Sequence, residues 1–261
     1  MDKSLLLPRE QYEETAKRYG RSPYTFKIEN DRQSLFYFGA NHSRDPSDPQ
    51  YPILKEYWNT FLKTTEGRER IVLVEGRLRT LLKDEEAAIK GGSEGGFITL
   101  LAHEANVAVA CPDLSDEELV ERLSDIPREE TLLYWFLTFM NNFQRQASPK
   151  PHFATSAEAW CERQKPRKIW QGIEVSFSRM KELYEKIIGK AFDESENVNN
   201  FINPNKTETK INAVARAQSN LRDLNIASEI ERYWHEGRSI FVVFGGGHLI
   251  IEEPALRKVL V

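Results

Sequence analysis

The sequence predicts an α/β protein: a mixed, mostly buried central sheet flanked by helices, with a helical insertion in the middle of the chain. Three observations carry this expectation. Short runs rich in β-branched and aromatic residues, such as "SLFYFG", "RIVLVEG" and "RSIFVVFGGGH", are continuously apolar, as strands covered on both faces must be. Segments with apolar residues at helical spacing lie between them, and strands alternating with helices build covered sheets. From about Ser115 to Gly189 the pattern is almost wholly helical.

Taken in order, Pro8 to Tyr19 reads as a short amphipathic helix and "YTFKIE" (Tyr24 to Glu29) as an alternating strand. "SLFYFG" follows as a buried strand. The next stretch, "SRDPSDPQYP", is a loop, because its prolines fix φ and remove backbone donors. Leu54, Tyr57, Trp58, Phe61 and Leu62 recur at the spacing of one helix face. "RIVLVEG" (Arg70 to Gly76) is a buried strand ending at an acid. "GGSEGGF" (Gly91 to Phe97) is a glycine-rich turn that opens a helix running to about Asn106. "VAVACPD" (Val107 to Asp113) is a further strand ending at an acid. The helical middle breaks near Ser148 to His152 and at Pro166. The polar stretch Phe192 to Lys210 is a long loop, and a helix runs from about Ile211 to Trp234 before the last strand. A single domain over residues 1–261 is expected, with the helical insertion at about 115–208.

Composition narrows the function. The 261 residues are 40% hydrophobic and 29% charged, as in soluble globular proteins, and suffice for a substantial core. Net charge is −4 with no long basic run, which disfavours nucleic acid as a partner. No apolar run approaches the roughly 20 residues that span a bilayer, so no membrane partner is expected. The start, "MDKSLLLPREQYEE", does not read as a signal peptide. Two cysteines, Cys111 and Cys161, lie far apart and suit a reducing compartment, so the location expected is cytoplasmic. Homo-oligomerisation is left open.

The chemistry gathers at strand ends. Only five histidines occur, and two of them, His42 and His248, follow strands in the pattern Gly-x-x-His. Glycine there permits φ > 0 and close approach of backbone or ligand. Glu75 and Asp113 also end strands, and in open α/β sheets ligands sit outside the carboxyl ends of strands. Two imidazoles and a carboxylate, His42, Glu75 and His248, suit a divalent metal such as Mn, Zn, Co or Fe. The same trio also suits a metal-free general base with an orienting carboxylate, and histidine at a pocket mouth also suits a small ligand or haem. Asn41, Asp45, Gly246 and Gly247 flank the two motifs and are candidates for substrate contact. Asp45 before Pro46 also suits an Asx turn. His103 lacks the second histidine of H-E-x-x-H, because position 107 is Val107, and the P-loop and nucleophile-elbow motifs are absent.

These islands, from Phe36 to Leu249, resemble the TraB/Tiki/erythromycin-esterase-like superfamily: "FYFGANH", the strand ending in Glu75, "GGSEGGF", "NLRDLNIASEIERYW" and "FVVFGGGHL". The first motif reads Gly-Ala-Asn-His rather than Gly-Thr-x-His, and the esterase-type Gly-Glu-x-x-His is absent. The resemblance implies hydrolysis of a small-molecule or peptide substrate, with His42, Glu75 and His248 as the core set. It makes Arg222 the helix arginine, which contacts an anionic group or forms a salt bridge with Asp223 or Glu75. It makes Glu94 an additional ligand or base, or a helix-terminal residue.

Overall fold

The computed structural model describes residues 1–20, 22–145 and 149–260. It divides into two compact units, Met1–Asp113 with Arg222–Val261, and Leu114–Leu221.

The first unit is an α/β structure around one five-stranded mixed sheet. Its strands are β1 (Tyr24–Glu29), β2 (Ser34–Ala40), β3 (Arg70–Val74), β4 (Ala108–Ala110) and β5 (Ser239–Gly245). Their spatial order is β1-β2-β5-β3-β4. β1 runs antiparallel to β2, while β2, β5, β3 and β4 are mutually parallel. The last strand in sequence is therefore the middle strand in space. Register places Ala40 opposite Gly245 and Val74 opposite Val243, so the two Gly-x-x-His motifs and Glu75 leave the sheet at the same edge.

Successive side chains of a strand point to opposite faces, and here both faces are covered. Phe36, Phe38, Val72, Val74, Phe241 and Val243 pack with α2 (Gln50–Thr64) and α3 (Glu85–Glu104), following the short N-terminal helix α1 (Tyr12–Tyr19). Leu35, Tyr37, Ile71, Leu73, Val242 and Phe244 form the other core. That alternation explains why the strands read as unbroken apolar runs.

The second unit is helical: α4 (Asp116–Arg122), α5 (Arg128–Gln144), α6 (Phe153–Gln164), α7 (Phe177–Ile188) and α8 (Asn199–Ile202). Its own core is aromatic, with Phe136, Trp160, Trp170 and Tyr184 buried together. The boundary with the first unit falls within α9 (Lys210–His235), whose residues from Arg222 onward belong to the first unit. α10 (Gly246–Val259) completes the described elements. Ile226, Ile230 and Trp234 of α9, with Leu249, Ile250 and Leu256 of α10, cover the second face of the sheet.

Several boundaries differ from the sequence reading. The N-terminal helix begins at Tyr12 after a tight turn over Arg9–Gln11. β4 has only three residues, because Pro112 cannot donate to a ladder. The supposed loop 192–210 contains α8, where Asn212 Nδ2 donates to the carbonyls of Asn200, Phe201 and Asn203. α3 starts at Glu85, capped by Asp84, and is broken at Ser93 with φ 48°. A β-carbon on Gly96 would lie 2.4 Å from the Ala88 carbonyl, so the two halves of that broken helix cross through a glycine. The C-terminal segment, unassigned from sequence, is α10: burial of its apolar residues outweighs two glycines and Pro254. Of the break expected near Ser148 to His152, Ser148 lies outside the described residues. No helix among the described residues is long and apolar enough to cross a membrane.

Candidate active site

All four polar strand-end residues singled out from sequence lie at the carboxyl edge of the sheet, within the first unit. Glu75 is central. Its Oε2 accepts a hydrogen bond from the Gly245 N–H at 2.8 Å and lies 3.4 Å from His42 Nε2. Its Oε1 accepts from Arg222 Nη2 at 3.0 Å and lies 3.6 Å from His248 Nε2. Burial works against the Glu75 charge, but His248, Arg222 and His42 together hold its pKa well below the ordinary carboxylate range.

Each histidine is backed by a second carboxylate. His248 Nδ1 lies 2.5 Å from Asp223 Oδ1, and Asp223 is fully buried and paired on its other side with Arg9. Burial alone would lower the His248 pKa, but the Asp223 charge outweighs it and the imidazole is pushed up to about 10. His42 Nδ1 lies 3.6 Å from Glu94 Oε2, and its pKa is raised by Glu94 first and by Glu75 after that. Glu94 Oε1 accepts from the Ser43 N–H at 2.7 Å, so the same side chain fixes the loop that carries His42.

The glycines have a different purpose from the one expected. Gly245, Gly246 and Gly247 do not adopt positive φ; it is His42 that does, at 56°. Space is what the glycines supply. A β-carbon on Gly245 would lie 2.5 Å from His42 Nε2, and one on Gly246 would lie 3.0 Å from the Tyr24 ring. One on Gly39 would lie 3.0 Å from Gly246 Cα. The two motifs are therefore adjacent because each lacks side chains where the other passes. His248 also belongs to the first turn of α10 rather than to a strand end.

Other expectations are redirected. Arg222 pairs with Glu75 but not with Asp223. Its main partner is Asp113, reached through Nε and Nη2 at 2.8 Å each. Asp113 also accepts from the Gly76 N–H at 2.8 Å, which ties β3 to the segment after β4. Arg222 thus holds the site's carboxylates rather than standing free for an oxyanion. Asp45 accepts from the Ser47 N–H at 2.9 Å and from its hydroxyl at 2.8 Å in an exposed Asx turn, directed into its own loop rather than to the cluster. Asn41 is exposed; its N–H donates to Gln50 Oε1 at 3.0 Å and its side-chain amide to the Ser22 carbonyl at 3.4 Å.

Sequence reasoning missed Arg9, Glu252 and Tyr37, and gave Asp223 the wrong partner. Tyr37 donates to Glu252 Oε2 at 2.9 Å, and the fully buried Glu252 Oε1, 3.8 Å from His248 Nδ1, has no hydrogen-bond partner. Glu252 lies four residues beyond His248, so reading the tail as a helix would have put both on one face. Nothing local marks Arg9, which reaches Asp223 only through the fold.

Two donor sets can be weighed for a cation. Asp223, His248 and Glu252 bring one donor atom each within 4.8 Å of one another. Yet 2.5 Å between His248 Nδ1 and Asp223 is hydrogen-bonding distance. Donors sharing a tetrahedral cation at bonds of about 2.0–2.2 Å lie roughly 3.3–3.6 Å apart. His42 Nε2 and His248 Nε2 lie 3.4 and 3.6 Å from Glu75, but from its two different oxygens, Oε2 and Oε1, so each pair taken singly has that spacing while the three donors do not converge on one atom.

Compared with known proteins, the chain matches no family model, no curated protein and no solved structure.

Proposed function

We propose that the protein is a hydrolase of ester or peptide bonds in which His42, Glu75 and His248 hold a divalent metal ion and prepare water for attack. One observation carries this reading: two imidazoles from opposite ends of the chain point Nε2 at one carboxylate, while each Nδ1 faces a further carboxylate. Metal-binding histidines are typically oriented in this way, by a carboxylate on the other ring nitrogen. The charges point the same way, since of the acids Glu75, Glu94, Asp113, Asp223 and Glu252, the guanidinium ion pairs seen among the described residues are those of Arg9 with Asp223 and of Arg222 with Glu75 and Asp113.

When bound, such an ion supplies a Lewis acid and lowers the pKa of its water toward neutrality. The chain's own groups do the rest. With a cation at Nε2 displacing the second proton of the imidazolium, Asp223 would keep the remaining His248 proton at Nδ1 and so direct Nε2 to the site. Arg222 and the Gly245 N–H keep Glu75 ionised and fixed. His42, with 54% of its side chain exposed, stands on the solvent side where substrate enters. The resemblance to the TraB/Tiki/erythromycin-esterase-like superfamily implies the same class of reaction.

A metal-free hydrolase is the second reading, and His42 favours it. An accessible imidazole backed by Glu94, with its pKa raised, has the attributes of a general base at Nε2.

Elemental analysis of protein purified without an immobilised-metal step, on wild type, His42→Ala and His248→Ala, tests the first reading alongside ester and peptide hydrolysis. Near-stoichiometric Mn, Zn, Co or Fe, lost in both variants together with activity, is the expected result. Hydrolysis that persists without metal selects the second reading. Neither metal nor hydrolysis after adding back Mn²⁺ or Zn²⁺ sinks both.

A further inference from the structure

Beyond Gly76, whose N–H donates to Asp113, the segment between Glu75 and Asp84 has no part in the cluster described above, yet it starts at the cluster's central residue. It forms neither helix nor strand. Among the described residues, four large apolar side chains are exposed, and three of them are here: Leu78 at 60%, Leu81 at 44% and Leu82 at 37%. Three exposed leucines within five residues concentrate apolar surface on this one short segment, and clustered rather than scattered apolar exposure is what marks binding surfaces.

The glycine-rich stretch of α3 is the floor beneath this segment. A β-carbon on Gly91 would lie 2.7 Å from Leu82 Cδ1. Those on Gly92 and Gly95 would lie 3.6 Å from Arg79 Cγ and 3.8 Å from Arg79 Nε. The stem of Arg79 thus lies along bare backbone just beside Glu94. Its guanidinium reaches back to Gly76, where a β-carbon would lie 3.4 Å from Nη2. The charged end of Arg79 therefore sits beside the residue that follows Glu75.

The arginines differ in what they pair with. Arg9 is taken by Asp223, and Arg222 by Asp113 and Glu75. Arg79 and Arg77 have no carboxylate within ion-pair distance among the described residues. In a chain of net charge −4, with acids crowding the neighbouring site, an unpaired guanidinium held in place by its stem is complementary to an anion from outside. Guanidinium matches a planar carboxylate with two parallel hydrogen bonds.

We infer that residues 77–82 are the substrate-recognition strap of the proposed hydrolase, and that its substrate joins an apolar chain to a carboxylate. The carboxylate pairs with Arg79 and the chain lies on Leu78, Leu81 and Leu82. This inference rests on the hydrolase reading for the word substrate, but its test does not depend on turnover.

Isothermal titration with decanoate below its micellar range, against decanamide as the uncharged analogue, reads the strap directly. Wild type binds decanoate more tightly than decanamide. Arg79→Ala weakens decanoate by about tenfold or more, the worth of one charge-assisted pair, and leaves decanamide unchanged. Leu78→Ser with Leu81→Ser weakens both ligands. Equal binding of decanoate to wild type and Arg79→Ala, no preference over decanamide, or binding only to anionic phosphatidylglycerol vesicles overturns the inference. A protein that binds decanoate through Arg79 yet hydrolyses nothing keeps the strap and loses the hydrolase reading. One that hydrolyses esters without regard to Arg79 does the reverse.

Discussion

Gly245→Ala separates the site from the fold. Gly245 has φ −56° and ψ 142°, a conformation open to alanine, so the backbone itself does not resist the change. The obstacle is His42: the new methyl carbon would lie 2.5 Å from Nε2, 3.2 Å from Cε1 and 3.4 Å from Glu75 Oε2. His42 Nε2 is the far end of a side chain that is 54% exposed, so the ring swings outward instead of pushing the sheet apart. In the pairs it leaves, His42 is the exposed partner and the buried Glu94 keeps its hydrogen bond from the Ser43 N–H, so the loss is about 1 kcal/mol. Replacing glycine returns roughly 0.4–1 kcal/mol through the unfolded chain. Net stability should therefore change by less than about 1 kcal/mol, while displacement of a site group by an ångström costs about a hundredfold in rate. The assays are a thermal melt, metal content, and NMR titration of His42 in chelator-treated protein. Wild-type His42 titrates above the ordinary imidazole value because of Glu94 and Glu75, and in the variant it moves back toward that value. Unchanged titration and unchanged metal content in a well-folded Gly245→Ala protein would refute the steric reasoning.

Gly39→Ala should behave in the opposite way. Its β-carbon meets the Gly246 backbone at 3.0 Å and Leu249 at 3.1 Å inside the core, so the fold loses about 1–3 kcal/mol, as urea unfolding would register. Arg222→Met leaves Asp113, only 4% exposed, without its cation, and a loss of about 3–5 kcal/mol is expected. A change below 1 kcal/mol in the same assay would mean that Asp113 finds another partner. Burial pushes the Cys161 thiol up to about 11, so Ellman's reagent should react with it in native protein far more slowly than after unfolding. The unfolded thiol ionises near 9.0 while the folded one stays protonated. This group's contribution to stability is thus complete below pH 9 and declines as pH rises from there toward 11. Stability that is flat over that window, measured in wild type against Cys161→Ala, contradicts this assignment.

Much of the sheet was legible in the chain. Unbroken apolar runs such as Leu35 to Phe38 and Phe241 to Phe244 announce strands covered on both faces, and the structure covers them with α2 and α3 on one side and α9 and α10 on the other. His42, Glu75, Asp113 and His248 were identifiable because each follows such a run, and strand ends are local features. α10 was not legible, since glycines and Pro254 obscure a helix that burial alone stabilises.

What the sequence by itself determined is therefore the set of strands, their burial, and the residue types that end them. Tertiary structure decided which of those ends meet. Inserting β5 between β2 and β3 is a matter of long-range pairing, which no local pattern encodes, and it brings His42 and His248 to the two sides of Glu75. The fold also chose Asp113 rather than Asp223 for Arg222, gave Asp223 to His248 and Arg9, and laid Arg79 along the glycines of α3. Charge pairing depends on distance in space, and for residues far apart in a chain only the packed core sets that distance.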